Sequence, residues 1–210
     1  MRQYLHPEHA DLTTMTAGHQ TTVDVRSWEH AFKALSVLNA LAGPIAALCG
    51  NSGIRHGTIR PTELAWRVRV WQMICRNSER VGVLFQQPVG GRPEPIMDLE
   101  TYAARMFSYP YVLHKYENGH ADPYGTGIPF HEALSIYGEF ELERVIQVLL
   151  ATVWPDARLR WFKCLAIECR VPCAQPQGEG TAVTALHVGL VEAAEEIWEQ
   201  VVNRRPWSFW

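Results

Sequence analysis

Between residues 28 and 49, apolar side chains recur at three- and four-residue steps: Trp28, Ala31, Phe32, Leu35, Leu38, Ala42, Ile45 and Leu48. That is the spacing of one face of an α-helix. A stripe this long has to be covered, so the chain needs a second layer and a shared core. Ser27 stands where an N-cap belongs. Pro44 is expected to kink the helix, and GNSG at 50–53 to end it.

The chain can provide such a core. It has 210 residues, 47% of them apolar and 20% charged. A monomer of this size buries roughly 70% of the surface its unfolded chain exposes. A disulfide-stapled miniprotein and an intrinsically disordered chain are excluded. A net charge of -3 argues against a polyanion binder, so no nucleic-acid partner is expected. No run approaches the 18 apolar residues of a membrane span, and the first fifteen residues lack the apolar segment of a secretory signal. The five cysteines, at 49, 75, 164, 169 and 173, are odd in number and irregularly spaced. They point to reduced thiols and a cytoplasmic location, with no zinc spacing among them.

Strand patterns fall on either side of the helices. Residues 18–25, GHQTTVDV, alternate: Gln20, Thr22 and Asp24 share one face, His19, Thr21, Val23 and Val25 the other. Residues 157–171, ARLRWFKCLAIECRV, suit one long bulged strand or two short ones. There Leu165, Ile167 and Cys169 face one way, and Ala166, Glu168 and Arg170 the other. Residues 109–116 also suit a strand, with a turn at ENGH, 117–120. Further helices are expected at 63–75 after Thr62, at 99–108 after Asp98, at 130–137, at 141–154, and from Thr181 to about 202. Residues 54–61 and 86–97 suit loops. The expected architecture is α+β, an antiparallel sheet covered by helices on one face. It divides into an irregular segment at 1–15, a single domain at 16–203, and an aromatic tail at 204–210.

The uncovered sheet face would carry Gln20, Thr22, Glu168 and Arg170. A carboxylate such as Glu168 can hold a hard divalent cation. A guanidinium two residues on can grip a carboxylate in fork geometry, and a cross-strand ion-pair network fits the same spacing. Arg67 and Trp71 lie at i and i+4 and share one helix face. Asn51 and Ser52 suit a C-terminal turn. No P-loop or dinucleotide fingerprint is present.

Six segments, in order, resemble a known family. TAGHQTTVDV (16–25) is similar to a strand on the active-site floor of the glutamate–cysteine ligase group of carboxylate–amine ligases, within the glutamine-synthetase superfamily. LNALAGPIAALCGNSG (38–53) resembles the family's long helix and its Ala-Asn-Ser-Pro turn, with Gly53 in place of the proline. AWRVRVW (65–71) resembles Ser-x-Arg-x-x-x-Trp, and IPFHEAL (128–134) resembles Thr-Phe-x-x-Phe/Leu. LATVWP (150–155) resembles Leu-Thr-Thr-x-Phe-Pro, and LAIECRVP (165–172) resembles Leu-Glu-x-Arg.

The resemblance implies a curved antiparallel sheet, half of a glutamine-synthetase-type catalytic domain, with its site on the concave face. It implies ATP and Mg²⁺ or Mn²⁺, which phosphorylate a carboxylate so that an amine can attack the acyl phosphate. By position, Glu168 and Gln20 would hold metal. Gln20, Thr22, Arg67 and Arg170 would bind substrate, with Arg67 and Arg170 taking part in catalysis. The substrates would be a small carboxylic acid and an amine. The family's Glu-x-Glu strand has no counterpart before residue 16, its Asn-His is Val148-Leu149, and its later acidic residue is Cys173. The chain therefore resembles the C-terminal half, to be completed by a second chain or a second copy. The alternative is a non-catalytic scaffold or binding subunit derived from the family.

Overall fold

The computed structural model describes residues 17–55, 58–59, 61–62, 64–67, 95–108, 114–115, 121–122, 135, 142–143, 146, 156–161 and 164–202. The fold is α+β, as expected. The chain divides into two compact units. The first takes in Met1–Thr14, Val70–Val89 and Glu100–Trp154, the second Met15–Arg69, Gly90–Leu99 and Pro155–Trp210.

The second unit is built on a three-stranded antiparallel sheet. Its strands are β1 (Thr21–Asp24), β6 (Ala157–Trp161) and β7 (Leu165–Cys169), in the order β1-β7-β6. The segment at 157–171 is thus two short strands. They pair as a hairpin from Ala157↔Cys169 to Trp161↔Leu165. β1 pairs with β7 from Thr21↔Cys169 to Asp24↔Ala166. An isolated bridge, Gly18↔Cys173, extends this ladder. β7 is central, so Ala166, Ile167, Glu168 and Cys169 are all buried.

Helix α1 (Trp28–Ala40) lies against β6 and β7. Ser27 caps it, its hydroxyl accepting from the His30 amide at 3.1 Å. Phe32, Leu35, Val37 and Leu38 are buried on this helix. Each fully buried side chain of this kind contributes about 1.5–3 kcal/mol. Trp28 stacks on Phe32 at the helix start. The ends of α1 are also tied by polar contacts. His30 Nδ1 accepts from the Arg26 amide and its Nε2 donates to the Val191 carbonyl, while Asn39 Oδ1 accepts from the Ala157 amide.

The long helix breaks at Leu41, earlier than the kink expected at Pro44. Helix α2 (Ala42–Leu48) starts again at an angle of 59°. A proline clashes with the carbonyl four residues back, here Ala40, and has no amide hydrogen to donate. Placed in the first turn of α2, Pro44 costs that helix nothing, because first-turn amides have no partner within the helix. Among the described residues no single helix is long and apolar enough to cross a membrane. The α1–α2 pair reaches that length only in bent form, and α1 is a core helix.

The expected loop at 54–61 instead holds a small ladder, β2 (Ile54–Arg55) with β3 (Thr58–Ile59). The last helix is also interrupted. Helix α4 (Gly180–Glu192) ends at Ala193, and α5 (Ala194–Ile197) runs into a π-helical turn at Trp198–Val202. Trp198 packs on Val37, so this end is held against α1. Gly178, at φ 94°, makes the left-handed turn before α4, where any side chain would be strained.

Helix α3 (Leu99–Ser108) follows Asp98 as expected, nearly all of it in the first unit. That unit also holds the ladder of β4 (His114–Lys115) with β5 (Ala121–Asp122), which bridges the expected turn. Of the helices expected at 63–75, 130–137 and 141–154, the described residues are Leu64 to Arg67, Ser135, Leu142, Glu143 and Ile146. Trp66, Arg67, Ser135, Leu142, Glu143 and Ile146 are helical. The remainder of those spans, residues 1–15 and the tail 204–210 lie outside the described residues.

Candidate functional site

The register gathers polar side chains onto one sheet face. Side chains alternate along a strand, and partners directly opposite share a face. Thr22, Glu168 and Arg158 therefore form one row across β1, β7 and β6. Asp24, Ala166 and Arg160 form the next. Continued one step further, the β6–β7 register sets Arg170 opposite Asp156, whose carbonyl accepts from the Arg170 amide at 2.9 Å; towards β1 the ladder slips by one residue, since the next bridge is Gly18↔Cys173. The opposite face carries Thr21, Val23, Ile167, Cys169 and Ala157, all buried.

Glu168 and Arg170 do project together from the polar face, but their environments differ. Glu168 is buried, and its Oε2 accepts from Arg158 Nε at 2.6 Å. Arg160 Nε stands 3.7 Å from the same oxygen. The carboxylate is thus the hub of a cross-strand ion-pair network. Arg170 has no such partner: its Nε and Nη1 are buried without a hydrogen bond. Burial, with Arg158 as the next largest influence, lowers its guanidinium to about 10, so it stays charged at neutral pH.

Arg67 works as a strap. Its Nη1 donates to the carbonyls of Arg170 at 2.8 Å and Val171 at 3.3 Å. Its amide donates to Ser52 Oγ, which also donates to the Leu64 carbonyl and lies 3.3 Å from Cys173 Sγ. A methyl group built on Gly18 would sit 2.6 Å from Arg67 Nε, so only glycine lets the guanidinium lie against this backbone. Arg67 thereby fixes the backbone that carries Arg170. Asn51 bonds the Ala174 carbonyl, so it and Ser52 do more than turn the chain.

Gln20 and Thr22 are both exposed, Gln20 just before β1 and Thr22 within it. The sequence patterns singled out five site residues, and three of them, Thr22, Glu168 and Arg170, share the polar sheet face, while Gln20 lies just before β1 where the ladder slips by one residue. Arg67 reaches the backbone at Arg170 from the side. The patterns missed Asp156, Arg158 and Arg160. Arg158 and Arg160, two apart on a strand, are the same signal that singled out Glu168 and Arg170.

Asp156 is half-buried beside this row. Burial pushes its carboxyl up to about 6, against the pull of the Arg67 and Arg170 charges.

A divalent cation fits this face poorly. Glu168 is already neutralised by Arg158, and two more guanidinium groups, of Arg160 and Arg170, lie around it. Among the described residues, no group of three or more His, Cys, Asp or Glu is arranged to hold a metal ion. Among the described residues, Glu168 and Gln20 have no further carboxylate arranged with them as a donor set for Mg²⁺ or Mn²⁺. The surplus of arginine suits an anion. No protein-family model, no curated protein and no solved structure matches this chain.

Proposed function

We propose that this chain is a carboxylate-binding subunit on a scaffold similar to the carboxylate–amine ligases, taking the acid group of a small molecule at Arg170. One feature carries the assignment: two buried guanidinium nitrogens of Arg170 without a partner, on a polar sheet face where the Glu168 carboxylate is already engaged by Arg158. A buried donor left unpaired costs about 1–3 kcal/mol, and a carboxylate from solution would remove that cost.

Full ligase chemistry, through an acyl phosphate with ATP and Mg²⁺, would then need carboxylates from outside the described face. A second chain or a second copy would supply them. The exposed apolar side chains of Leu48, Ile54, Ile59 and Leu64 favour such a partner, since they cluster on α2, the β2–β3 ladder and the segment that follows. In that assembly the protein would be cytoplasmic and would form an amide between a small acid and an amine.

Calorimetric titration of small mono- and dicarboxylic acids into the purified chain tests the assignment. Binding should occur with wild type and be lost with Arg170→Gln, while Mg-ATP gives no heat with this chain alone. No binding of any acid, or Mg-ATP binding that depends on Glu168, would overturn it.

A further inference from the structure

Two buried cysteines lie where two segments of the second unit run side by side. Cys49 closes α2 as its C-cap, and Cys173 stands beyond β7 in the bridge to Gly18. Both are free thiols, 6% and 2% exposed. Three contacts hold their segments together. The Gln175 side chain donates from one nitrogen, Nε2, to the carbonyls of Cys49 and Cys173, at 2.9 Å each, so the two oxygens are at most twice that length apart. Asn51 donates to the Ala174 carbonyl at 2.9 Å. Ser52 Oγ lies 3.3 Å from Cys173 Sγ. Disulfides join residues whose Cα atoms are about 4.4–6.8 Å apart, a spacing compatible with two carbonyls that share one donor.

We infer that Cys49 and Cys173 form a redox latch, which closes as a disulfide in the presence of a small-molecule disulfide such as oxidised glutathione and opens under a reducing thiol. The exchange balances. The Cys49 thiolate attacks one sulfur of oxidised glutathione, forms a mixed disulfide and releases one glutathione thiol. The Cys173 thiolate then attacks the Cys49 sulfur and releases the second. Two protein S–H bonds and one glutathione S–S bond are exchanged for one protein S–S bond and two glutathione S–H bonds. Cys49 reacts first because it is the more exposed of the two. Burial raises its thiol, with the neighbouring Cys173 adding to the effect, so the first step is slow at neutral pH and quickens as the pH rises.

The other described cysteines stand elsewhere. Cys164 is exposed at the opposite end of β7, where its Sγ donates to Asp24 Oδ1. Cys169 is buried across from Thr21 on the apolar sheet face. The latch also reaches the Arg67 strap. Ser52 Oγ accepts from the Arg67 amide and donates to the Leu64 carbonyl, so the hydrogen between Ser52 and Cys173 is the one on the thiol. Oxidation removes that hydrogen and ties the end of α2 covalently to the segment that Arg67 holds. A cross-link between residues 49 and 173 closes a long loop, which restricts the unfolded chain and favours the folded one.

This inference is independent of the carboxylate-binding assignment above. The reduced chain is incubated with oxidised glutathione at about pH 8, where thiolates begin to form, then alkylated and digested with trypsin under denaturing conditions. Cys49 falls in peptide 34–55 and Cys173 in 171–204, apart from Cys164 and Cys169 in 164–170 and Cys75 in 70–76. The expected product is 34–55 joined to 171–204, with free thiols falling from five to three. The urea midpoint should rise by about 1 M and return when dithiothreitol is added. Cys164→Ser should leave both readouts unchanged. Cys173→Ala and Cys49→Ala should each abolish them, with circular dichroism to confirm that the variant is folded. Five free thiols after prolonged oxidation, glutathione retained with no internal link, a link through Cys75, Cys164 or Cys169, or a 34–55 to 171–204 link without a higher midpoint would overturn the inference, and each leaves the Arg170 assignment untouched.

Discussion

Glu168 and Arg170 sit two residues apart on one strand and behave in opposite ways. Glu168 is closed off by Arg158 at 2.6 Å, with both side chains almost fully buried. Taking charges out of water costs several kcal/mol each, and the pair persists because each side chain supplies what the other lost. Removing the charge of Glu168 leaves two arginines on a buried face. Glu168→Gln should therefore destabilise the protein by about 3 kcal/mol, read as a lower midpoint in urea denaturation. The double variant Arg158→Met with Glu168→Leu should lose clearly less, because no unpaired charge remains. Arg170→Gln should change stability little, since its guanidinium nitrogens hold no partner to lose. A loss with Arg170→Gln as large as with Glu168→Gln would make the two residues a single structural pair.

At the scale of elements, alternation and capping were the legible signals. The faces of 18–25 and 165–170 follow from a period of two, and Ser27 is visible as the only capping side chain ahead of the apolar stripe. Because its hydroxyl bonds the His30 amide, Ser27→Ala should lower stability by about 1 kcal/mol, measured by thermal unfolding. Pairing between strands was not legible. Nothing in ARLRW states that Arg158 lies opposite Glu168; that depends on the register in which β6 and β7 pair. The Arg67 strap was hidden for the same reason, since it joins residues 103 and 104 apart in sequence and needs a bare Gly18 between them. The proline signal gave a break but not its place, because the clash acts on the residue four positions earlier. Of the site, the side chains that share a face could be read locally. Which of them were already satisfied could not, and that decides between cation and anion.

On the scale of the whole molecule, two titratable groups, His187 and Asp156, oppose each other in acid. His187, on the inner face of α4, is fully buried with both ring nitrogens unpartnered, and Thr21 Oγ1, also unpartnered, is buried on the sheet face opposite the polar row. Burial holds the imidazole down to about 4 from 6.5, with His19 adding to the effect. Between 6.5 and 4 the unfolded chain binds this proton and the folded chain does not, so the His187 contribution to stability falls as the pH drops through that window. Asp156 does the reverse. Its carboxyl is raised from 3.8 to about 6, so the folded chain binds the proton first, and stability rises as the pH drops from 6 towards 3.8. Each shift is worth up to about 3 kcal/mol, less for the half-buried Asp156, whose field solvent partly screens. Wild type should therefore show a shallow stability profile between about pH 4 and 6, in which each group conceals the other. Asp156→Asn should expose the histidine, giving a protein that loses stability steadily as the pH falls through this range. His187→Phe should expose the carboxyl, giving one that gains stability until the pH nears 4. Urea midpoints measured across the range for the three proteins decide the matter, and parallel profiles would show that neither group is shifted by the fold.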